Sequence, residues 1–279
     1  MKKAIVTLAV GKRFSRMVRD YCRTNWKLYA EKYGYDLIII EELLDKSEFG
    51  LSRCAAWQKC LVLSQEWSQK YDRIVWLDTD IIINPNAPDI INGLPDDKIG
   101  AVDEFSFPTK QEYNLALSRM YKHWDNLGYN PTINFGAKAY YKNFGIECDF
   151  EEVVQTGVMV FNPKIHREIM EHVYYNYEEK GLNYEMRPLS YEIIKNNYHH
   201  WLDHRFNMHI QFLKALYYPF LLELDLPKPS LFCKKEIKKL CIESVFANSY
   251  FLHFTGATEE MKLLDWKKFV NKVIEWQQS

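Results

Sequence analysis

Asp78-Thr79-Asp80 closes the apolar run Ile74-Val75-Trp76-Leu77. That run reads as a buried strand, so it delivers two carboxylates to the carboxyl edge of a sheet, where open α/β folds bind ligands. Two like charges there need a counter-charge, and hard carboxylate oxygens suit Mg²⁺ or Mn²⁺. The competing reading is an Asp pair that caps the next turn through side-chain to backbone bonds. Other polar groups recur at expected element ends: Trp57-Gln58-Lys59 before the pair, and Asp103 after it. Further on come Gln155-Thr156-Gly157 and His253-Phe254-Thr255-Gly256.

These residues need elements to hold them. Lys3 to Val10 and Asp36 to Ile40 read as buried strands, with a helix from Phe14 to Tyr33 between them that ends at Gly34. Ser52 is placed to cap a helix reaching about Ser68. Strands are expected at Arg73 to Leu77, Ile81 to Ile83, Lys98 to Val102, Val153 to Phe161 (interrupted at Thr156-Gly157) and Phe251 to Phe254. Helices are expected from Pro163 to about Glu179, from Ser190 to Asn197, and after Asp265, with Trp266, Phe269, Val270 and Val273 on one face. The stretch from Phe107 to Asn143 reads as a partly helical insertion, and Phe212 to Pro229 as apolar and unassigned. Alternating strands and helices imply an α/β fold, a mostly parallel, Rossmann-like mixed sheet with helices on both faces. One domain over 1–279 is expected: a nucleotide-binding half at about 1–105, an acceptor-side insertion at about 107–150, and a second half at about 151–279.

Composition narrows the class. Hydrophobic residues are 47% and charged residues 26% of 279, which excludes a largely disordered chain. Lys+Arg is 36 against Asp+Glu 37, so no global basic bias points to nucleic acid. Cys22, Cys54, Cys60, Cys148, Cys233 and Cys241 form no CxxC pair. They read as reduced thiols of a cytoplasmic protein. No uncharged apolar run nears the ~20 residues of a membrane span, and no cleavage pattern follows the N-terminal apolar run.

Two enzyme classes place an Asp pair at such a strand end. Haloacid-dehalogenase-like phosphatases use the first Asp as a nucleophile near the first strand, with a later Gly-Asp motif. Here two βα units come first and that motif is missing. The order of Trp57-Gln58-Lys59, Asp78-Thr79-Asp80, Asp103, Thr156-Gly157-Val158-Met159-Val160-Phe161-Asn162 and His253-Phe254-Thr255-Gly256 resembles retaining GT-A fold glycosyltransferases. The parallels are the glycogenin and lipopolysaccharide galactosyltransferase group, and the group of xyloglucan xylosyltransferases and yeast-type α-galactosyl- and mannosyltransferases.

The resemblance, which spans Ala4 to about Trp266, implies a role for each residue. Asp78, Asp80 and His253 would hold Mn²⁺ or Mg²⁺. Thr7 and Ala9 would meet the base and ribose of a nucleotide-sugar donor, with UDP-hexose favoured. Lys59 and Gly256 would lie near its diphosphate, Asp103 near its sugar, and Thr79 would also belong to the donor-binding set. Gln155, Thr156 and Gly157 would line the donor and acceptor site, Gln155 standing where the family has Asn. The family also has an Asp-Gln pair near the anomeric carbon. The matching stretch, Pro188 to Ile194, has none, which leaves Glu192 as the candidate catalytic acid. The implied acceptor is a saccharide or glycolipid. Asp203 and Asn207 are weaker acceptor candidates that could equally cap turns. The Tyr/Trp set between Tyr113 and Tyr141 fits sugar stacking or core packing. The spacing of His199, His200, His204 and His209 is not that of a zinc site. The last amphipathic helix could dock on the domain or lie on a membrane as a peripheral contact. A metal-dependent phosphohydrolase on Asp78 and Asp80, and a non-catalytic sugar-nucleotide-binding relative, are the alternatives.

Overall fold

A computed structural model describes residues 1–129, 135–178, 184–224 and 234–270. Strand β1 (Lys3–Leu8) leads into helix α1 (Lys12–Met17), one π turn (Val18–Cys22) and α2 (Arg23–Tyr33). Gly34, at φ 71°, ends that helical run in the left-handed region where glycine carries no Cβ penalty. Next come β2 (Tyr35–Ile40), α3 (Glu48–Leu51), two 3₁₀ segments (Ala55–Ser64 and Glu66–Lys70), β3 (Arg73–Leu77), β4 (Ile81–Ile83) and β5 (Ile99–Asp103). The insertion carries α4 (Lys110–Asn126) and α5 (Ala137–Lys142). The second half holds β6 (Val154–Phe161), α6 (Pro163–Asn176), α7 (Met186–Lys195), β7 (His199–Trp201), a 3₁₀ turn (His204–Asn207) and β8 (Met208–His209). It closes with α8 (Ile210–Tyr217), α9 (Phe220–Leu224), α10 (Lys234–Asn248), β9 (Phe251–His253) and a 3₁₀ turn (Thr258–Leu263).

Six strands form the main sheet in the order β2-β1-β3-β6-β5-β7, with only β6 reversed. Period-two alternation divides the core between its faces. Ile5, Val75, Leu77, Val158 and Val160 pack with Trp26, Tyr29 and the elements of the second half. Ala4, Val6, Ile74, Trp76, Met159 and Phe161 pack with the first 3₁₀ segment, α6 and α7. A small sheet, β4-β9-β8, stands beside the end of β3.

The expected helix from Ser52 forms as 3₁₀ structure, and Ser52 follows α3 instead of capping a helix. Trp57, Cys60 and Leu63 are all fully buried at a spacing of three. That spacing matches three residues per turn, so burial against the sheet favours the tighter helix. Strand β6 runs through Thr156-Gly157 as a strand, yet its ladder to β5 skips Thr156, Gly157 and Val158. Ala101 faces Met159 while Val102 faces Gln155. The skipped residues keep the sheet continuous on the β3 side, where Leu77 faces Val158, and form a bulge beside the paired aspartates.

Candidate active site

Topology brings Asp80 and His253 together across 173 positions. Asp80 precedes β4, and β4 pairs antiparallel with β9 so that Ile81 faces His253. Phe254 N donates to Asp80 O at 2.9 Å. The other side of β4 is held by α2, where Asn25 Nδ2 donates to Ile83 O at 2.7 Å and Trp26 Nε1 to Ile81 O at 2.9 Å. Asp78 N donates to Gly157 O at 2.8 Å, fixing the first aspartate to the bulge of β6. Asp78, Asp80 and His253 thereby offer ligand atoms that all lie within 4.8 Å of one another.

The donor set suits a hard divalent cation: two carboxylates and one imidazole, the imidazole oriented from behind. Asn207 Nδ2 donates to Gln155 Oε1 at 2.6 Å, so its Oδ1 is left to accept from His253 Nδ1–H at 2.9 Å. Nε2 then faces Asp80 Oδ1 at 3.1 Å. Burial opposes charge on both partners. Their mutual attraction overrides it, holding Asp80 below the ordinary carboxylate range and His253 above the ordinary imidazole range. Gly157 makes room for this ring, since a Cβ there would come within 2.4 Å of His253 Cε1.

Lys59 forms the second half of the site. Its ammonium is buried, 3.1 Å from Asp78 Oδ1, 2.7 Å from Glu185 Oε1 and 3.3 Å from Thr156 O. Burial alone would lower its pKa, but the two carboxylates raise it, so the lysine stays charged. Trp76 Nε1 also donates to Asp78 Oδ1 at 2.8 Å, and Thr156 Oγ1 to Glu185 Oε1 at 3.2 Å. Burial lifts the Glu185 carboxyl against the pull of Lys59. A cleft of ≈ 380 Å³ opens over these groups, walled by Leu8, Val10, Phe14, Thr79, Tyr184 and Thr255.

Other expected residues lie elsewhere. Thr7 and Ala9 are fully buried, Ala9 in the core on the opposite sheet face from Leu8, and Leu8 and Val10 line the cleft instead. Alternation along β1 dictates this exchange. Asp103 Oδ1 accepts from Phe105 N at 3.2 Å and Val153 N at 3.0 Å, closing the end of β5. Gly256, at φ 68°, turns the chain after β9, and its carbonyl accepts from Gln211. Asp203 caps its 3₁₀ turn through Arg205 N at 2.9 Å and pairs with the Arg205 guanidinium. Asn207 is buried, holding His253 from behind.

Glu192 is not brought to the cluster. Its carboxylate accepts from Tyr177 OH at 2.5 Å and Asn196 Nδ2 at 3.1 Å, toward the C-terminal end of α7. The acid that α7 sets against Lys59 is Glu185, which the sequence reading passed over. One signal could have found it: an acidic residue three positions ahead of Pro188, at the N-cap of α7. Of the aromatic set, Tyr113, Tyr140 and Tyr141 are core residues. Of the four histidines expected not to bind zinc, His199 and His200 share β7, His204 opens the following 3₁₀ turn and His209 lies in β8, and the metal-competent cluster found among the described residues is Asp78, Asp80 and His253. Trp266 and Phe269 pack on the core, Phe269 edge-on to Phe246 at 4.9 Å, while Val273 lies outside the described residues. No described helix is long and apolar enough to cross a membrane.

No family model and no curated protein matches the chain. Solved structures do resemble it. A glycosyltransferase involved in the glycosylation of the major capsid of PBCV-1 superimposes with a TM-score of 0.53 at 15% identity, over 95% of this chain and all of that one. The chain has a glycosyltransferase fold. Galactosyltransferase LgtC, solved with donor and acceptor sugar analogs, matches at a TM-score of 0.42 and 11% identity, over 96% of this chain and 94% of its own. Mouse xyloside xylosyltransferase 1 matches at 0.43 and 11%, over 91% and 98%. Within this glycosyltransferase fold the Asp78–Asp80–His253 cluster stands at the carboxyl end of β3, where ligands of α/β sheets bind.

Proposed function

We propose that the chain is a metal-dependent glycosyltransferase that moves a hexose from a nucleotide-sugar donor, UDP-hexose first, to a saccharide or glycolipid acceptor with retention. It would act as one domain over residues 1–279. The observation that carries the reading is the Asp78–Asp80–His253 cluster on the floor of a cleft that also presents a buried, charged lysine. Asp78, Asp80 and His253 would hold Mn²⁺ or Mg²⁺, and such an ion supplies positive charge to a departing diphosphate. Lys59 adds a fixed ammonium, held charged by Asp78 and Glu185, at the place where negative charge grows as the glycosidic bond breaks. Asn207 and Gln155 keep the His253 ring in one orientation, so the site needs little rearrangement when loaded. Glu185 takes the place expected of Glu192 as the acid on α7 nearest the donor cleft.

A thermal-shift panel of nucleoside diphosphates with and without Mn²⁺ tests this reading, because a ligand that binds only the folded chain raises its apparent stability. UDP should stabilise the chain in the presence of Mn²⁺ and much less in its absence. Stabilisation by no nucleoside diphosphate would overturn the donor assignment. Hydrolysis of simple phosphate esters would favour a phosphohydrolase. UDP binding with no transfer to any acceptor would favour a non-catalytic relative.

A further inference from the structure

A second cleft, of ≈ 520 Å³, opens at the other end of the small sheet. Asn84 leaves β4 there and Tyr250 enters β9, joined by an Asn84 N to Tyr250 O bond of 2.7 Å. Along β9 that is three residues, about 10 Å, from His253. The volume falls within the roughly 300–1,000 Å³ of small-molecule sites.

The walls present ring faces and neutral polar groups. Phe107 and His204 stack at 3.7 Å with 17° between their planes. The Arg205 guanidinium lies 4.1 Å from the centre of the Tyr250 ring. Its charge is matched, because Nε and Nη2 both donate to Asp203, at 3.0 Å and 2.6 Å. Among the described residues, no other lysine or arginine and no carboxylate lines the cleft. An anionic ligand therefore finds no unpaired cation, and a cationic ligand no acid. The side-chain amide of Asn86 and the hydroxyl of Tyr217 have no hydrogen-bond partner among the described residues, and both side chains are exposed. An amide offers donor and acceptor side by side, which suits neighbouring hydroxyls, and the exposed Tyr217 ring suits the C–H face of a pyranose.

We infer that this cleft binds a neutral saccharide. Phe107, His204 and Met208 also wall a smaller cavity of ≈ 30 Å³ that reaches Glu104 and Asn207, and Asn207 holds His253. That cavity has room for about two waters, so the cleft and the metal cluster are linked there by packed side chains and not by a path for sugar. Saccharide binding stands on the cleft itself; that the bound chain is part of the acceptor rests on the glycosyltransferase reading.

Saturation-transfer NMR with short malto-, cello-, manno- and galacto-oligosaccharides tests the inference on the full chain. At least one series should bind, and should still bind when UDP and Mn²⁺ are present in excess. The Asn86→Ala/Tyr217→Ala variant should weaken it about tenfold or more. Both side chains are exposed, Tyr217 by 51%, so the variant should keep the parental melting temperature. Tyr217→Phe, which removes only the hydroxyl, gives a second reading of smaller size in the same direction. Binding of no member of the panel, or equal binding by the double variant, overturns the inference. If the parent binds saccharide but no nucleoside diphosphate, the donor reading fails and the saccharide cleft stands.

Discussion

Lys59 keeps a buried ammonium between two carboxylates, and that arrangement makes it legible to experiment. Lys59→Met should cost about 3–5 kcal/mol in urea unfolding, because Glu185 would remain buried without its cation. Lys59→Met/Glu185→Gln should recover much of that loss, whereas strict additivity of the two changes would show that the pair does not interact. In the same assay series, Asp80→Asn and His253→Ala should abolish the Mn²⁺-dependent part of UDP stabilisation. Retention of that part by both variants would remove the metal-site assignment. Glu192→Gln should leave the transfer rate near parental and lower stability instead, since Tyr177 and Asn196 share an acceptor that the amide only half replaces. A rate loss on the order of 10²-fold would return Glu192 to the catalytic role its segment first implied. The difference between Glu185 and Glu192 is two helical turns. The two acids therefore share a face, and one-dimensional spacing identified the helix but not which of its ends meets Lys59.

Strand β6 shows how an element makes a site. Its bulge at Thr156-Gly157 aims Thr156 O at Lys59 and Gly157 O at Asp78 N, and leaves a Cβ-free gap for the His253 ring. Gly157→Ala should cost about 1–3 kcal/mol by overpacking. It should also weaken Mn²⁺-dependent UDP binding, because the imidazole must move off the line held by Asn207. Thermal shift with and without UDP and Mn²⁺ separates the two effects, and an unchanged metal dependence would show that the ring is not confined by β6. The Thr156-Gly157 irregularity was legible in the sequence as a break in an apolar run. Its form was not, because a bulge is defined by the neighbour it skips. The 3₁₀ form of Ala55–Ser64 was hidden for a similar reason: apolar residues occur all round that segment, so both helical periods fit it, and burial against the sheet selects the tighter one.

At the scale of the whole molecule, stability should fall in acid through His166. This ring is fully buried at the start of α6. Nδ1 accepts from Asn162 N at 3.0 Å, which leaves Nε2–H to donate to Asp97 O at 3.1 Å. Burial, with a smaller contribution from Arg73, pushes its pKa down to about 4. The unfolded chain, with an ordinary histidine, therefore binds more protons between pH 6.5 and 4. The stabilisation is fully present above pH 6.5 and is lost as pH falls toward 4, about 3 kcal/mol in all. Urea unfolding at stepped pH should show this slope, and His166→Gln should be less stable near neutrality but flatter across the window. An unchanged slope in the variant would assign the acid loss to other groups.

Local residue pattern by itself determined the strand with its paired aspartates, the alternation of strands and helices, and the glycine that ends the first helical run. Each depends on periodicity or backbone freedom within a few residues. Tertiary structure alone decided which distant groups meet. His253 reaches Asp80 because β9 pairs with β4, and Glu185 reaches Lys59 because α7 packs over the bulge of β6. It also decided which face of β1 meets the cleft, moving that role from Thr7 and Ala9 to Leu8 and Val10. Pairing partners and the choice of face are fixed by burial summed over the whole sheet, and no short stretch of sequence contains that sum.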